Sequence, residues 1–209
     1  AQKVEFYTRQ FANAISPTNF MMTNPEVLRA TIESGGENLL KGLSNLLDDL
    51  ERGKGKLQIK MTDLDAFKIG ENVATTEGSV IGRTPLMELL QYKPATDKVA
   101  KRPLMIVPPW INKYYILDLR PENSFIKWAV DQGHTVFVLS WVNPDSKLAE
   151  ESFEDYGRDG VLAALDMIEK ATGEKEVNAI GYCLGGTLLS AMLAYMAKIG
   201  DERIKSATF

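Results

Sequence analysis

The sequence predicts an α/β fold, a mostly parallel sheet covered by helices on both faces, behind a mainly helical N-terminal part. Three observations carry that expectation. From about Lys93 onward, short apolar runs alternate with helical patterns, the rhythm of right-handed strand–helix–strand crossovers. Before that point apolar residues recur at three- and four-residue steps, most regularly from Leu39 to Leu50, which is the spacing of amphipathic helices. Third, Cys183, the only cysteine in 209 residues, stands between Gly181 and Gly185, with an apolar run before it and a long helical pattern after it.

Taken in chain order, Phe6, Phe11, Ala14 and Ile15 form a first short apolar face. Asn24-Pro25-Glu26 is a helix start: a capping side chain, proline at the first helical position and an acid in the first turn. Val27, Leu28 and Ile32 line that helix, and Gly35-Gly36 ends it. The Leu39–Leu50 stripe makes the next helix, with packing on the catalytic core as its expected use; Gly53-Lys54-Gly55-Lys56 breaks it. Residues 72–81 read as a hairpin centred on Glu77-Gly78, and Leu86 to Tyr92 as a strand. The division into domains is expected at 1–92 and 93–209.

In the second part, Pro103 to Val107 reads as a buried strand stopped by Pro108-Pro109. Pro121 to Gln132 reads as a helix with Phe125, Trp128 and Ala129 inward, ended by Gly133. Thr135 to Val142 is a β-branched and aromatic strand. Phe153 to Ala171 is a helix with Val161, Leu162, Leu165 and Ile168 on one face. Val177 to Tyr182 is a strand, Leu184 to Ile199 a helix, and Ile204 to Phe209 the start of another strand. A parallel sheet stopping there would leave an apolar edge, so the expectation is a longer protein of which this is a part.

Gly181-Tyr182-Cys183-Leu184-Gly185 has the layout of a nucleophile elbow, a reactive side chain on a tight strand-to-helix turn. That layout, with the elbow after the fifth strand, gives the order of an α/β-hydrolase fold. The alternative for a lone cysteine is a buried, inert residue; glycines on both sides favour the nucleophile. A helix N-terminus favours negative charge there, and the Leu184 amide points where an oxyanion would form. The second oxyanion donor in such a fold comes from the loop after the third strand, here Pro108-Pro109-Trp110-Ile111-Asn112. Since proline has no N–H, the amides of Trp110 or Ile111 are the candidates.

A cysteine nucleophile needs a base and an acid to orient it. The only histidine, His134, falls where a helix ends and a strand begins. That is the pole of the sheet opposite Cys183, so it reads as a hydrogen-bonded turn residue. Asp145, in Asn143-Pro144-Asp145, reads as a turn cap. Base and acid are therefore expected beyond Phe209, and the 209 residues alone are expected to be inactive. Cysteine suits acyl transfer, because a thiol acylated by a thioester makes another thioester of nearly equal energy.

A formal charge of −4 offers no basic field for nucleic acid. One cysteine excludes an internal disulfide framework and paired-cysteine zinc sites and suits a reducing compartment. No apolar run approaches the roughly 20 residues of a membrane span, and the N-terminus lacks a signal-peptide core. It does not open with methionine, which predicts trimming at that end.

Several segments together resemble the poly(3-hydroxyalkanoate) synthases, in particular the single-subunit type, class I with class II close. They include Ser16-Pro17-Thr18-Asn19-Phe20, Ile32-Glu33-Ser34-Gly35-Gly36-Glu37, the run from Pro108 to Leu119, and Gly181-Tyr182-Cys183-Leu184-Gly185-Gly186-Thr187. The last is similar to the family's cysteine-containing lipase-like box. The resemblance implies an acyltransferase that polymerises (R)-3-hydroxyacyl-CoA into polyester and releases CoA, with Cys183 carrying the acyl group and the growing chain. It implies no cofactor or metal, a cytoplasmic protein associated with polyester granules, and possible homodimers. It also places the catalytic Asp and His downstream of this sequence and ties the N-terminal part to dimerisation and granule association. Two rivals stand beside it: a cysteine α/β-hydrolase of the thioesterase or dienelactone-hydrolase kind, and a non-catalytic granule-surface module.

Overall fold

A computed structural model describes residues 1–209. The chain divides into two compact units, Ala1–Leu64 and Asp65–Phe209.

The first unit is three helices, α1 (Gln2–Ala14), α2 (Pro25–Glu33) and α3 (Glu37–Arg52). Asn24 caps α2 as its sequence suggests: its Oδ1 accepts from the amides of Glu26 at 2.9 Å and Val27 at 3.4 Å. Left-handed Gly35 and Gly36 turn the chain into α3, and the Asn38 amide nitrogen donates to Thr31 Oγ1 across the bend at 2.9 Å. None of the three helices buries a residue. The leucines of the α3 stripe are exposed from Leu39 to Leu47, and only Leu50 is half-buried.

The second unit is built on a six-stranded sheet. Its strands are β1 (Gly78–Arg83), β2 (Met87–Tyr92), β3 (Leu104–Val107), β6 (Val136–Trp141), β7 (Val177–Gly181) and β8 (Ile204–Thr208); β4 (Asp118–Arg120) and β5 (Asn123–Ser124) form a separate two-stranded ribbon. The sheet order is β1-β2-β6-β3-β7-β8. β1, β2 and β6 pair antiparallel, while β6, β3, β7 and β8 run parallel. Both faces are covered. Helices α6 (Ala163–Thr172) and α7 (Leu184–Ile199) close one core over Phe137, Leu139, Met105 and Val107; α4 (Phe125–Asp131) closes the other over Ile106, Val136 and Val138.

β1 and β2 join the parallel strands through β6, so the sheet includes residues before 93, and the compact units divide after Leu64. Four expectations are corrected. Residues 1–92 are helical only to Arg52. The hairpin turns at Thr84, whose Oγ1 accepts from the Leu86 and Met87 amides, while Gly78 is a strand residue opposite Tyr92. In α4 the buried residues are Ile126, Ala129 and Val130; Phe125 and Trp128 are exposed and stack on each other at 5.6 Å. Between α5 (Phe153–Asp155) and α6 the expected single helix widens into π-helix over Tyr156–Leu162.

Candidate active site

β3 and β7 are neighbours in register, with Val107 opposite Gly181, and the Tyr182 amide donates to the Val107 carbonyl at 3.0 Å. Their ends therefore leave the sheet side by side. From β7 the chain turns through Cys183, which has φ 56° and ψ −122°, a conformation an L side chain rarely holds and which costs on the order of 1–3 kcal/mol. Cys183 is the N-cap of α7 and its side chain is exposed. The Gly186 amide closes the first turn onto the Cys183 carbonyl at 2.9 Å. The Leu184 amide forms no hydrogen bond within the chain, as expected of a first-turn donor.

Gly185 explains how the turn fits against β3. A Cβ there would stand 1.9 Å from the Val107 oxygen and 2.9 Å from the Pro108 carbonyl carbon. The first turn of α7 thus lies directly on the backbone that enters the 108–112 loop. In that loop the Asn112 amide reaches the Pro109 carbonyl at 3.4 Å. Every peptide is trans, so the Trp110 N–H points opposite to the Pro109 carbonyl, out of the turn. Neither the Trp110 nor the Ile111 amide is used inside the chain. Ile111 is 65% exposed; Trp110 is half-buried.

Aromatic rings surround the loop. Trp110 meets Trp141 edge-on at 6.4 Å, Phe153 at 6.2 Å and Tyr156 at 5.2 Å. The Trp141 indole N–H donates to the Pro108 carbonyl at 2.7 Å in a buried bond. Lys113 Nζ and Asn143 Oδ1 tie the far side of the loop to the segment after β6. Ser152 and Asp155 form a reciprocal cap at the start of α5. Hydrogen bonds from the Ser152 hydroxyl and amide, and then from Arg158, hold the Asp155 carboxyl below its ordinary range.

The structure brings Cys183, Leu184 and the Trp110–Ile111 loop to one corner and leaves the other candidates apart. His134 is half-buried, with its amide bonded to the Ala129 carbonyl at 3.2 Å. Val136 and Asn178 both face Leu104 of β3, so His134 and Cys183 are separated by about 20 Å along the strands. Asp145 caps the short turn Ser146–Leu148, accepting from the Lys147 amide at 2.8 Å. Trp141 and Tyr156 were not singled out by sequence reading. Their signal is weak: an aromatic at the C-terminal end of a strand that runs parallel to β3, and a helix carrying Gly157 and Gly160.

A strand, a strained cysteine and a helix N-terminus, set at the C-terminal edge of a mostly parallel sheet, have the layout of the α/β-hydrolase class of proteins, and residues 120–209 match the alpha/beta hydrolase fold family. Residues 1–129 match the family described as poly-beta-hydroxybutyrate polymerase (PhaC) N-terminus. The chain belongs to the poly(3-hydroxyalkanoate) polymerase family. It is 58% identical over 206 residues to the poly(3-hydroxyalkanoate) polymerase subunit PhaC of Rhizobium meliloti, covering 99% of this chain and 34% of that protein. It is 59% identical over 207 residues to the poly(3-hydroxyalkanoate) polymerase of Methylorubrum extorquens, again over 99% of this chain and 34% of the relative. The corresponding Cupriavidus necator subunit is 47% identical over 207 residues, with the same two coverages. The chain thus spans about a third of the length of these relatives. No helix is long and apolar enough to cross a membrane.

Proposed function

We propose that this chain supplies the nucleophile and the oxyanion donors of an acyltransferase that joins (R)-3-hydroxyacyl-CoA units into polyester. The observation that carries the reading is Cys183, exposed and held at φ 56° on the N-terminus of α7, in a chain of the polymerase family. The Cys183 sulfur attacks the thioester carbonyl carbon. The carbonyl oxygen becomes an oxyanion that the amides of Leu184 and of Trp110 or Ile111 receive. The intermediate collapses by breaking the carbon–sulfur bond to CoA, whose thiolate leaves and takes up a proton, so acyl group and sulfur exchange partners without oxidation. Attack by a 3-hydroxyl group on a second acyl thioester forms the ester bond and releases a thiol. No cofactor enters these steps. By family resemblance the Asp and His that move the protons follow Phe209, and the growing chain holds the enzyme, as a homodimer, at a cytoplasmic granule surface.

The test is incubation of the intact gene product with 3-hydroxybutyryl-CoA. Polymer with stoichiometric CoA is expected; free hydroxy acid instead would favour a cysteine hydrolase. Cys183→Ser is expected to fold and to lose most chain growth. Unimpaired polymer formation by Cys183→Ala would remove Cys183 from the chemistry and leave this part of the protein a non-catalytic, granule-surface module.

A further inference from the structure

We propose that Trp141 is a positioning residue for the oxyanion loop, holding the Trp110 amide where the Cys183 oxyanion forms. The inference rests on the acyl-transfer reading above and adds a residue to it. Pro108 and Pro109 carry no N–H, so this end of the loop cannot secure itself with its own amides. The handle it offers is the Pro108 carbonyl. Trp141 takes that handle: its indole N–H donates to it at 2.7 Å, and the side chain is only 9% exposed. A buried bond of this kind resists exchange with water, and losing it leaves a carbonyl unpaired. The same backbone also lies against the first turn of α7, where a Cβ on Gly185 would meet the Pro108 carbonyl carbon at 2.9 Å. The start of the loop is therefore held by both an indole and the elbow helix.

The ring that provides the clamp is itself fixed. A Cβ on Gly160 would lie 2.4 Å from Trp141 Cη2, so the π-helical segment comes as close to the indole as a residue without a side chain permits. Tyr156, on the same segment, packs on Trp141 at 5.3 Å and on Trp110 at 5.2 Å. π-Helical turns recur at functional sites; here the widened turn carries both Gly160 and Tyr156 to the indole. Trp110 is thus held by its side chain while its amide stays unused, which is the condition of a preorganised donor.

The experiment separates oxyanion stabilisation from general disorder of the elbow. In the intact gene product, Cys183 is acylated by 3-hydroxybutyryl-CoA and by a p-nitrophenyl ester, and separately alkylated with iodoacetamide, each followed by mass spectrometry. Acylation passes through an oxyanion; alkylation is a direct displacement and does not. Trp141→Phe is expected to slow both acylations by about tenfold or more, a fraction of the loss that follows deletion of a donor, and to leave alkylation within about twofold. Steady-state kcat should fall with KM nearly unchanged. Placing 3-benzothienylalanine at 141, which keeps the ring shape and removes only the N–H, should repeat the pattern should the phenylalanine variant fold poorly. Unchanged acylation in the benzothienyl variant, or equal slowing of acylation and alkylation, overturns the proposal. A parent protein acylated by the p-nitrophenyl ester but not by the CoA thioester would remove the polymerase reading while this inference stood on the ester data. A parent acylated by neither overturns both.

Discussion

Replacing Gly185 with alanine tests the close approach on which the elbow depends. An added Cβ would sit 1.9 Å from the Val107 oxygen, and real Cβ contacts essentially never fall below 3.0 Å, so helix and strand must part by roughly 1 Å. The obstacle is the Val107–Pro108 backbone, with no flexible side chain to swing away, which puts the strain at the upper end of overpacking costs, about 3 kcal/mol. Alanine's better helix propensity returns at most about 1 kcal/mol. The net expectation is a loss of about 2 kcal/mol, a fall in Tm of about 4 to 8 °C for a unit of this size. Thermal melting followed by circular dichroism, with urea denaturation alongside, measures it. Gly42→Ala is the control, because Gly42 lies inside α3 with nothing within 4 Å of the new methyl group; that change should stabilise its helix by about 0.5 to 1 kcal/mol. A Gly185→Ala protein that melts at or above the parent temperature would refute the packing argument.

Two further substitutions probe the buried polar groups on the α4 side of the sheet. Asp118 is fully buried; its carboxylate accepts from the Thr76 amide at 3.2 Å, the Thr76 hydroxyl at 2.7 Å and the Ser124 hydroxyl at 2.6 Å. Asp118→Ala leaves those donors unpaired, and urea denaturation should show a loss of about 3 kcal/mol; less than about 1 kcal/mol would mean the donors find water. The Tyr92 hydroxyl, in contrast, is buried with no partner, and burial, with Tyr114 and Asp118 alongside, pushes its phenol up. Tyr92→Phe should be neutral or stabilising by up to about 1 kcal/mol; a loss larger than that would show that the hydroxyl is bonded after all.

The elements that sequence reading places well are those with local signals. α7 and the parallel strands β3, β6 and β7 emerge where expected because apolar runs bounded by proline or glycine, and a 3.6-residue apolar period, are decided within about ten residues. The α2 cap is legible for the same reason: Asn24 bonds amides two and three positions on. The misreadings have physical causes. Gly78 looks like a turn but is a strand residue opposite Tyr92; its partner is chosen across a sheet. α4 has seven residues, too few for a period to select its buried face, so the large rings were placed inward while smaller residues fill the core. The π-helical turn has no period that a sequence displays. At the candidate site, Cys183 and Leu184 lie within one local turn and were legible, as was the loop carrying Trp110. Trp141 was not, because its partner Pro108 is 33 residues away.

Composition and local order thus determine that a strained cysteine heads a helix after a buried strand, and that an amide-poor proline loop follows an earlier strand. Which of these meet is a matter of strand order. β6 and β7 flank β3, so that the Pro108 loop, the Trp141 indole and the first turn of α7 converge. That order is set by the sum of many long-range contacts, each paid for in loop-closure entropy and none with a signature in neighbouring residues. The turn that holds Cys183 is therefore written in the consecutive residues Gly181 to Thr187, while the surroundings of the 108–112 loop exist only once the sheet has formed.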